Sequence, residues 1–363
     1  MLALTAVQAF FGDCLLLEFG DDNDPKYILI DGGPADTYSE HLIEVLRDLK
    51  QDGHDLELVV LSHVDTDHVT GLLDYIGDIR AATAGLPAVH ALWHNSFAKT
   101  IDVNGTIATR AQTLLATARA QVMSNSAVVI NGIPEGNQLR TQALAVPIPL
   151  NQGFPDEVLI ADTAGAPKDF SNLTLTVVGP TQANLDRLRE EWEAWLETAE
   201  EAVNSGKPHV MANSDRSTAN LSSIQLLATA DDKSILLTGD GRSDHLVQAL
   251  GQANLLDAQG KMHVNLLKLP HHGSDRNATK TFFKKITADI YLASADGTNG
   301  NPDLATLIWI VEAAKEANRE IQIICTNSTD STEKLLTEYP PEDYTYELQT
   351  LAEDEHSIRI ALS

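Results

Sequence analysis

The chain has little cysteine, little positive charge and no long apolar run, and each shortage excludes a class of protein. Two cysteines among 363 residues cannot form a disulfide framework, so a reducing, cytoplasmic compartment is expected. Basic residues number 25 against 52 acidic ones, and the net charge of −27 argues against a protein that coats DNA or an anionic membrane. No uncharged apolar run approaches the ~20 residues of a membrane-spanning helix. The early residues also lack the pattern of a signal peptide, so no membrane partner is expected.

Short apolar runs alternate with helical patterns along the chain, which predicts a layered α/β protein. The predicted strands include residues 15–19, 27–30, 56–61, 173–178, 235–237, 264–269, 290–293 and 321–325. The predicted helices are 40–50, 71–80, 184–203, 244–249 and 303–317. Residues 97–166 depart from this rhythm, with one predicted helix at 109–123, and are interpreted as an insertion. No linker divides the chain, so we expect a single domain over 1–363.

One stretch carries four potential metal ligands directly after an apolar strand. His63, Asp65, Asp67 and His68 follow residues 56–61. His63 and Asp65 are two residues apart, so in an extended segment they face the same way. Asp67 and His68 are adjacent, so their side chains diverge, most easily toward two neighbouring ions. Imidazole and carboxylate ligands suit zinc and tolerate manganese or iron.

Two further predicted strands end in metal-type donors. Residues 235–237 run into Thr238-Gly239-Asp240, where a carboxylate can bridge two cations. Residues 264–269 are stopped by a proline and deliver His271 and His272. Three strand ends with such donors predict a metal centre built from distant parts of the chain.

Together these motifs resemble the metallo-β-lactamase superfamily. The resemblance rests on the HxDxDH motif from His63, the TGD motif ending at Asp240 and the PHHGS motif from Pro270. It is nearest to the hydrolase domain of ComEC-type competence proteins and to phosphorylcholine esterases. The opening Gly12-Asp13 and the DGG motif from Asp31 match as well. The resemblance covers nearly the whole chain apart from 97–166, and it implies an αββα sandwich with that segment inserted.

The resemblance also implies a binuclear metal centre at one edge of the sheets. His63 and Asp65 would hold one ion and Asp67 and His68 the other, with Asp240 as the bridge. His271 or His272 would supply one more ligand, and the other would contact substrate or shuttle a proton. The carboxylate of Asp31 would support the metal-binding loop without touching an ion. The implied cofactors are two divalent cations, zinc first, with manganese or iron as alternatives.

The sequence departs from the commonest pattern of that superfamily at two places. Asp65 stands where a second histidine is usual, which adds negative charge and favours harder cations. The middle histidine of the family has no clear counterpart; His94 is the better candidate and His209 the weaker.

The implied reaction is a hydrolysis by a hydroxide that bridges the two metals. Two cations ~3.5–4 Å apart can ionise a water molecule near neutral pH and hold the attacking and leaving oxygens of an in-line displacement. Asp67 would orient the hydroxide, and Asp67 and His272 are the predicted catalytic residues. The sequence contains neither a GxSxG elbow nor a Walker loop, which disfavours serine hydrolases and P-loop NTPases.

A basic stretch after the paired histidines suggests a phosphate-bearing substrate. Arg276, Lys280 and Lys284 are four residues apart and are expected to share a helical face that contacts phosphate. The alternative is a solvated helix whose lysines pair with neighbouring carboxylates. Ser274 and Asn301 are further candidates for substrate contact, although Asn301 can instead cap the helix near 303.

The favoured interpretation is a phosphodiesterase that acts on a nucleotide, a nucleic-acid end or a small phosphoester. Hydrolysis of a carboxylic ester, thioester or lactone is the first alternative, and a pocket without basic contacts would favour it. A binding or regulatory module with a degenerate metal site is the second. The acidic surface favours a small or terminal phosphodiester over a long nucleic acid.

Overall fold

A computed structural model describes residues 1–117, 126–205 and 222–362 of the protein. Its strands are β1 (Leu2–Val7), β2 (Leu15–Asp21), β3 (Asp24–Ile30), β4 (Leu56–Leu61), β5 (Leu92–His94), β6 (Lys168–Phe170), β7 (Leu173–Gly179), β8 (Gln225–Ala230), β9 (Lys233–Leu237), β10 (Met262–Lys268), β11 (Ile286–Ala293), β12 (Ile321–Cys325), β13 (Tyr346–Thr350) and β14 (Ser357–Ala361). Its α-helices are α1 (Ile43–Gln51), α2 (Thr66–Arg80), α3 (Phe97–Thr100), α4 (Thr106–Thr117), α5 (Ser126–Ala145), α6 (Gln182–Ser205), α7 (Ser243–Gln252), α8 (Lys280–Lys285), α9 (Leu304–Glu316), α10 (Asp330–Glu338) and α11 (Pro341–Tyr344).

The strands form two sheets, and the apolar runs found in the sequence are their central members. The first sheet has the order β14-β1-β2-β3-β4-β5 and the second the order β13-β12-β11-β10-β9-β8-β7-β6. The end of β4 has four consecutive buried apolar residues instead of a strict alternation, because both faces of the sheet are covered. All eight predicted strands listed above are confirmed.

Three apolar clusters give the molecule four layers. One cluster fills the space between the sheets, with Leu17, Leu58 and Leu226 among its fully buried members. A second packs α1 and α2 on the outer face of the first sheet, and a third packs α7, α8 and α9 on the outer face of the second. The observed architecture is therefore the αββα sandwich that the resemblance implied.

The segment 97–166, which is interpreted from the sequence as an insertion, is more helical than predicted. Residues 97–166 contain α3, α4 and α5, whereas a single helix at 109–123 was predicted; residues 118–123 of that prediction lie outside the described residues. The apolar sides of α4 and α6 share a separate cluster, which includes Ile107, Leu114 and Trp192. Trp192 of α6 thus packs into a helical core. That the chain is a single domain stays a prediction.

Several element boundaries differ from the predicted ones. The helix predicted at 40–50 is a π-helical turn, Tyr38–Leu42, followed by α1. The helix predicted at 71–80 begins earlier, at Thr66, so Gly71 lies in the interior of α2 rather than at its start. A Cβ at Gly71 would lie 1.9 Å from the carbonyl oxygen of Gly32. This close approach brings α2 against the DGG loop and is the physical reason for a glycine there.

The parallel strands place their carboxyl ends at one edge of the molecule. β3, β4 and β5 run parallel in the first sheet, as do β9 to β13 in the second. Because parallel strands end on the same side, the loops after β4, β9 and β10 meet there. Within the described residues, no helix has the length and apolarity needed to cross a bilayer.

Candidate metal centre

Seven side chains from three loops converge where these parallel strands end. The loop after β4 and the first turn of α2 supply His63, Asp65, Asp67 and His68; Asp240 follows β9, and His271 and His272 follow β10. Positions far apart in sequence thus lie within a few ångströms of one another, as the motifs required.

One oxygen of Asp240 faces the first group of donors. Its Oδ1 lies 3.4 Å from Nε2 of His68 and 3.4 Å from Nε2 of His272. The Oδ2 of Asp67 is 3.5 Å from Nε2 of His272 and 4.0 Å from Nε2 of His68. One ligand atom from each of these four residues falls within 4.8 Å of all the others, a spacing that one cation can fill. These four residues are called the Oδ1 group below.

The other oxygen of Asp240 faces a second group. Its Oδ2 lies 3.7 Å from Nε2 of His63 and 3.5 Å from Nε2 of His271. Asp65 joins this side, with its Oδ2 3.8 Å from Nε2 of His63. We call His63, Asp65, His271 and Asp240 the Oδ2 group. A carboxylate with its two oxygens turned toward two donor sets has the arrangement of a bridging ligand.

Hydrogen bonds set the tautomers of the two histidines of the Oδ1 group. Nδ1–H of His68 donates to Oδ2 of Asp31 at 2.9 Å, and Nδ1–H of His272 donates to the backbone carbonyl of Ser294 at 3.0 Å. A carboxylate and a carbonyl oxygen can only accept, so the proton is on Nδ1 in both rings. Nε2 therefore presents its lone pair to the centre.

The two histidines of the Oδ2 group are held in the same way. Ser62 Oγ donates to Asp31 Oδ2 at 2.6 Å, so it accepts from Nδ1–H of His63 at 3.1 Å. The Oδ1 of Asn277 accepts from Nδ1–H of His271 at 2.8 Å. The amide of Asn277 is oriented by its own donation to the carbonyl of Asp240 at 2.8 Å. All four imidazoles thus turn Nε2 toward Asp240.

This donor set fits a pair of divalent cations. Nε2 of His63, His68 and His272 and Oδ1 of Asp240 are buried and make no hydrogen bond within the described residues. They are acceptors that face one another, an arrangement that costs free energy unless a positive charge lies between them. Each group offers two imidazole nitrogens and two carboxylates, with Asp240 counted in both. Nitrogen and oxygen ligands in this ratio suit zinc, manganese or iron.

The pKa values of the histidines and of Asp67 also indicate that the centre attracts positive charge. Burial alone would lower the pKa of His68 and of His272, but the carboxylate of Asp240, with Asp31 and Asp13 respectively, raises both well above the ordinary value. Burial lowers the pKa of His63 to about 3, with a contribution from His68. Burial opposes ionisation of Asp67, yet the neighbouring histidines lower its pKa to about 2. Protons on His68 and His272 would take the place that cations occupy in the loaded centre.

The centre is open on one side. The side chains of Asp65, Asp67 and His271 are 17%, 22% and 22% exposed, whereas His63 and His68 are fully buried. The buried histidines and Asp240 form the floor, and the three exposed side chains form the rim through which a substrate can enter.

The groups agree with the implied pairing of the early donors. His63 lies with Asp65, and His68 with Asp67, although Asp67 also has a ligand atom within 4.8 Å of those of His63 and Asp65. Both members of the His271-His272 pair face Asp240, where the sequence left open which one would. Asp31 contacts Ser62 and His68, and its supporting role stays a prediction. The metal-binding roles themselves stay predictions.

His94 lies outside both groups. It is the last residue of β5, next to Leu61 of β4 in the sheet, and its Cε1 would be 3.5 Å from a Cβ at Gly136. Both ring nitrogens are buried without a hydrogen-bond partner in the described parts of the chain. Burial, helped by Arg140, lowers the pKa of His94 to about 4, so the ring is neutral near neutral pH. His209, the other candidate, lies outside the described residues.

The basic face predicted after the histidines does not form. Helix α8 begins at Lys280, with Thr279 as its N-cap, so Arg276 does not share a helical face with Lys280 and Lys284. Lys280 Nζ lies 2.7 Å from Glu312 and Lys284 Nζ 2.5 Å from Glu316, both carboxylates on α9. The structure therefore has the alternative arrangement considered from the sequence, in which both lysines pair with carboxylates.

The other two candidates for substrate contact, Ser274 and Asn301, lie beside the loop that carries His271 and His272. Ser274 is buried, and its Oγ donates to Asp303 at 3.4 Å. Asn301 is also buried, with its Nδ2 3.5 Å from the backbone carbonyl of His271. Arg276 is exposed, and no carboxylate of the described residues lies within 4 Å of its guanidinium.

Sequence reasoning missed the residues that hold the ligands. Asp13 was noted as part of a motif, but its contact with Lys268 was not foreseen; Asn277 and Ser294 were not considered. A lysine inside the apolar run of β10 was the available signal, since an ammonium in a buried strand needs an anionic partner. The other contacts depend on loop geometry that spacing alone does not give.

The fold and the donor cluster define a class of protein, one with the metallo-β-lactamase fold and a histidine–aspartate cluster suited to divalent metal. Residues 7–153 match the family model of the metallo-beta-lactamase superfamily, which confirms the superfamily resemblance over that part of the chain. The matched residues include the HxDxDH motif, and Asp240 and the paired histidines lie beyond them. No curated protein sequence matches the chain.

Solved structures give distant likenesses, and 17 chains match. The metallo-beta-lactamase fold protein YhfI from Bacillus subtilis is 11% identical with a TM-score of 0.39, covering 99% of this chain and 100% of its own. CmlA, a diiron beta-hydroxylase from Streptomyces venezuelae, is 10% identical with a TM-score of 0.42. The match with CmlA covers 99% of this chain and 54% of CmlA. Likenesses this distant carry no argument about activity.

Proposed function

We propose that the chain is a hydrolase that uses two divalent cations and acts on a phosphodiester, in a nucleotide, a nucleic-acid end or a small phosphoester. The observation that carries the proposal is the position of Asp240, with one oxygen toward His68 and His272 and the other toward His63 and His271. Paired cations held in this way are typical of enzymes that displace an oxygen leaving group from phosphorus or carbon.

The residues of the rim would bind and orient the reactants. When bound, the cations supply Lewis acidity for the scissile group and lower the pKa of a water molecule. Asp67 is partly exposed, and its low pKa keeps it ionised near neutral pH, so it can accept a hydrogen bond from the attacking water and orient it. It is too weak a base to remove the proton unaided. His272 is 2% exposed with Nε2 between Asp67 and Asp240, which suits a ligand better than a proton shuttle to solvent.

Arg276 is the group we assign to the substrate phosphate. It precedes Asn277, which holds the His271 ring at the rim, and it has no carboxylate within 4 Å in the described chain. A guanidinium can bind two phosphate oxygens at once. Lys280 and Lys284 are less suitable because α9 already supplies carboxylates to both amines. The net charge of −27 favours a small or terminal phosphodiester over a long polyanion.

The donor chemistry also bears on the metal. Asp65 replaces an imidazole with a carboxylate, so each group has two nitrogen and two oxygen ligands. We propose zinc as the first occupant, with manganese or iron as competitors that harder ligands favour. The nearer likeness to ComEC-type or phosphorylcholine-cleaving enzymes stays a prediction.

Metal content and a substrate panel test the proposal. Elemental analysis of the purified chain should give two divalent ions per molecule, and the loaded protein should hydrolyse bis-p-nitrophenyl phosphate faster than a lactone or a β-lactam. Removal of the metal by a chelator should abolish turnover, and its return should restore it. Absence of stoichiometric metal would refute the enzyme and favour a module with a degenerate site.

Hydrolysis of a carboxylic ester, thioester or lactone is the second candidate. It is favoured by the ion pairs of Lys280 and Lys284 with Glu312 and Glu316, which remove two of the expected phosphate contacts. A protein that holds two metal ions and hydrolyses the lactone but not the phosphodiester would support this second candidate and refute the first.

A further inference from the structure

A lysine is buried directly beneath the metal centre. The Lys268 side chain, at the end of β10, is 1% exposed, and its ammonium forms an ion pair with Asp13, which is equally buried. Nζ also lies 3.4 Å from the backbone carbonyl oxygen of Gly239. An ammonium removed from water is stable only when its charge is compensated and its N–H groups are bonded. Asp13 supplies the compensation from a loop more than two hundred positions away.

Asp13 extends this ion pair to two candidate ligands. Its Oδ1 lies 3.3 Å from Nδ1 of His272, and its Oδ2 lies 3.9 Å from Nδ1 of His68. These are the ring nitrogens opposite the ones that face Asp240. Since Nδ1–H of His272 donates to Ser294 and that of His68 to Asp31, Asp13 acts on the rings through its negative charge rather than through a hydrogen bond. A negative charge on that side of an imidazole strengthens the donor nitrogen on the far side.

Lys268 reaches the same loops through the backbone. The carbonyl of Gly239, which it contacts, also accepts from the N–H of His271 at 3.1 Å and immediately precedes Asp240. The lysine thus contacts the loop after β9, the loop between β1 and β2, and through its own strand the loop with the paired histidines. One ammonium connects three segments that must be in register for the donors to converge.

The ion pair of Asp13 and Lys268 lies closer to the histidines of the Oδ1 group than to those of the Oδ2 group. Asp13 lies beside the rings of His68 and His272, both in the Oδ1 group. In the Oδ2 group the rings are held by other residues, His63 by Ser62 and His271 by Asn277. A change in the ion pair should therefore affect one ion more than the other.

The charges of the centre agree with a role for the lysine. Five carboxylates lie in or directly beside it, those of Asp13, Asp31, Asp65, Asp67 and Asp240. With Lys268 the total is −4, which two divalent cations neutralise. Without the lysine the loaded centre would retain an uncompensated buried charge.

We propose that Asp13 and Lys268 are positioning residues that set the affinity of the Oδ1 group for its ion, without touching metal or substrate. The inference rests on the proposed two-metal function. The negative charge of Asp13 beside the Nδ1 sides of His68 and His272 raises the donor strength of their Nε2 atoms, and the ion pair with Lys268 holds that carboxylate in place.

The test measures stepwise binding of Co²⁺ to metal-free protein by titration calorimetry and by the absorption of the bound ion. We expect Asp13→Asn and Lys268→Met each to weaken one of two ions by about 10–100-fold and to leave the other nearly unchanged. The double variant D13N/K268M removes both charges, so thermal stability should return toward wild type. The weakened ion should stay weak, because the carboxylate beside His272 is still missing.

A matched control is Asp102→Asn. Asp102 is a buried carboxylate that accepts from the N–H groups of Ile107 and Ala108 at the start of α4. Its substitution should lower stability and leave both Co²⁺ affinities unchanged. If a single variant fails to fold, the double variant alone decides between the outcomes.

Three results would overturn the inference: equal weakening of both ions, no weakening, or full return of affinity in the double variant. The last would mean that the pair acts only as charge compensation for the fold. Wild-type protein that binds no Co²⁺ would refute the proposed function together with the inference. Normal wild-type binding with one of those three results would refute the inference alone.

Discussion

Asp31 fixes the tautomer of His68. The carboxylate accepts the Nδ1–H of the ring at 2.9 Å, and Ser62 N–H and Oγ–H also donate to it at 2.7 and 2.6 Å. The N–H of Gly32, the next residue, donates to the carbonyl of His68 at 2.8 Å, which ties the same two segments through the backbone. The ring therefore has its proton on the nitrogen away from the centre.

Asp31→Asn should lower metal affinity although Asp31 touches no ion. An amide group in this place directs N–H toward the ring or the serine, and His68 must then move its proton to Nε2 or lose its partner. A proton on Nε2 occupies the position needed by a cation. We expect about 10–100-fold weaker binding of one ion, measured by Co²⁺ titration.

The exposed Asp48 of α1 offers a matched control for that change. Asp48→Asn should leave the titration curve unchanged. An Asp31→Asn protein with wild-type affinity for both ions would contradict the assigned tautomer.

Asp240→Asn and Asp67→Asn should differ in the number of ions lost. Asp240 faces both groups, so loss of its charge should weaken both ions. Asp67 lies nearest to His272 and His68, so its loss should weaken the ion of the Oδ1 group most. Turnover of Asp240→Asn should fall by more than the 10–100-fold typical of residues that only support ligands. Elemental analysis after dialysis measures the ions that remain.

Asp244→Asn is the control for these two variants. Asp244 pairs with Arg242 at 2.8 Å on the surface, and its side chain is 58% exposed. It should retain full metal content and activity. Two tightly held ions in Asp240→Asn would remove Asp240 from the bridging position.

The sequence predicted the donors of this centre because metal ligands follow strands. A short apolar run ending in His63, Asp240 or His271 is a local pattern, and the parallel arrangement then brings such ends together. The strand predictions were accurate for the same reason, since β-branched apolar runs buried on two faces have few alternatives.

The contacts around the donors could not be predicted in that way. Lys268 and Asp13 are separated by more than two hundred positions, and neither residue type nor spacing indicates that they meet. The prediction of a basic helical face was wrong because the spacing of the basic residues was interpreted as helical from Arg276 onward, whereas the helix begins only at Lys280. Partners on another element, such as Glu316 on α9, are invisible to a local pattern.

Arg276→Ala should raise KM for charged phosphodiesters. A charge-assisted hydrogen bond is worth about 1.5–3 kcal/mol, so its loss predicts roughly a tenfold or greater rise in KM, with kcat little changed. Neutral ester substrates should show no such rise. Lys284→Ala is the matched control, because its ammonium contacts Glu316 at 2.5 Å. Equal effects of the two variants would remove Arg276 from the substrate site.

A histidine pair away from the metal centre should give the fold a measurable pH dependence. Nδ1 of His41 and Nδ1 of His356 are 3.0 Å apart and share one proton, joining the turn before α1 to the loop before β14. Burial, and next the neighbouring His356, lower the pKa of His41, although Glu40 opposes the shift. Unfolded His41 returns to its ordinary pKa of about 6.5, so the unfolded chain binds more protons below that pH. The contribution of the pair is therefore present above about pH 6.5 and is lost as the pH falls toward the lowered value.

His41→Gln should reduce the loss of unfolding free energy between about pH 7.5 and 5.5, because the residue that must lose its proton on folding is gone. Urea denaturation at the two pH values measures the difference, and the contribution of the metal centre cancels in the comparison with wild type. His54→Gln serves as the control, since that ring packs against Tyr27 at 5.3 Å and does not contact the pair. A pH dependence in His41→Gln as steep as in wild type would show that the pKa of His41 is the same in the folded and unfolded states.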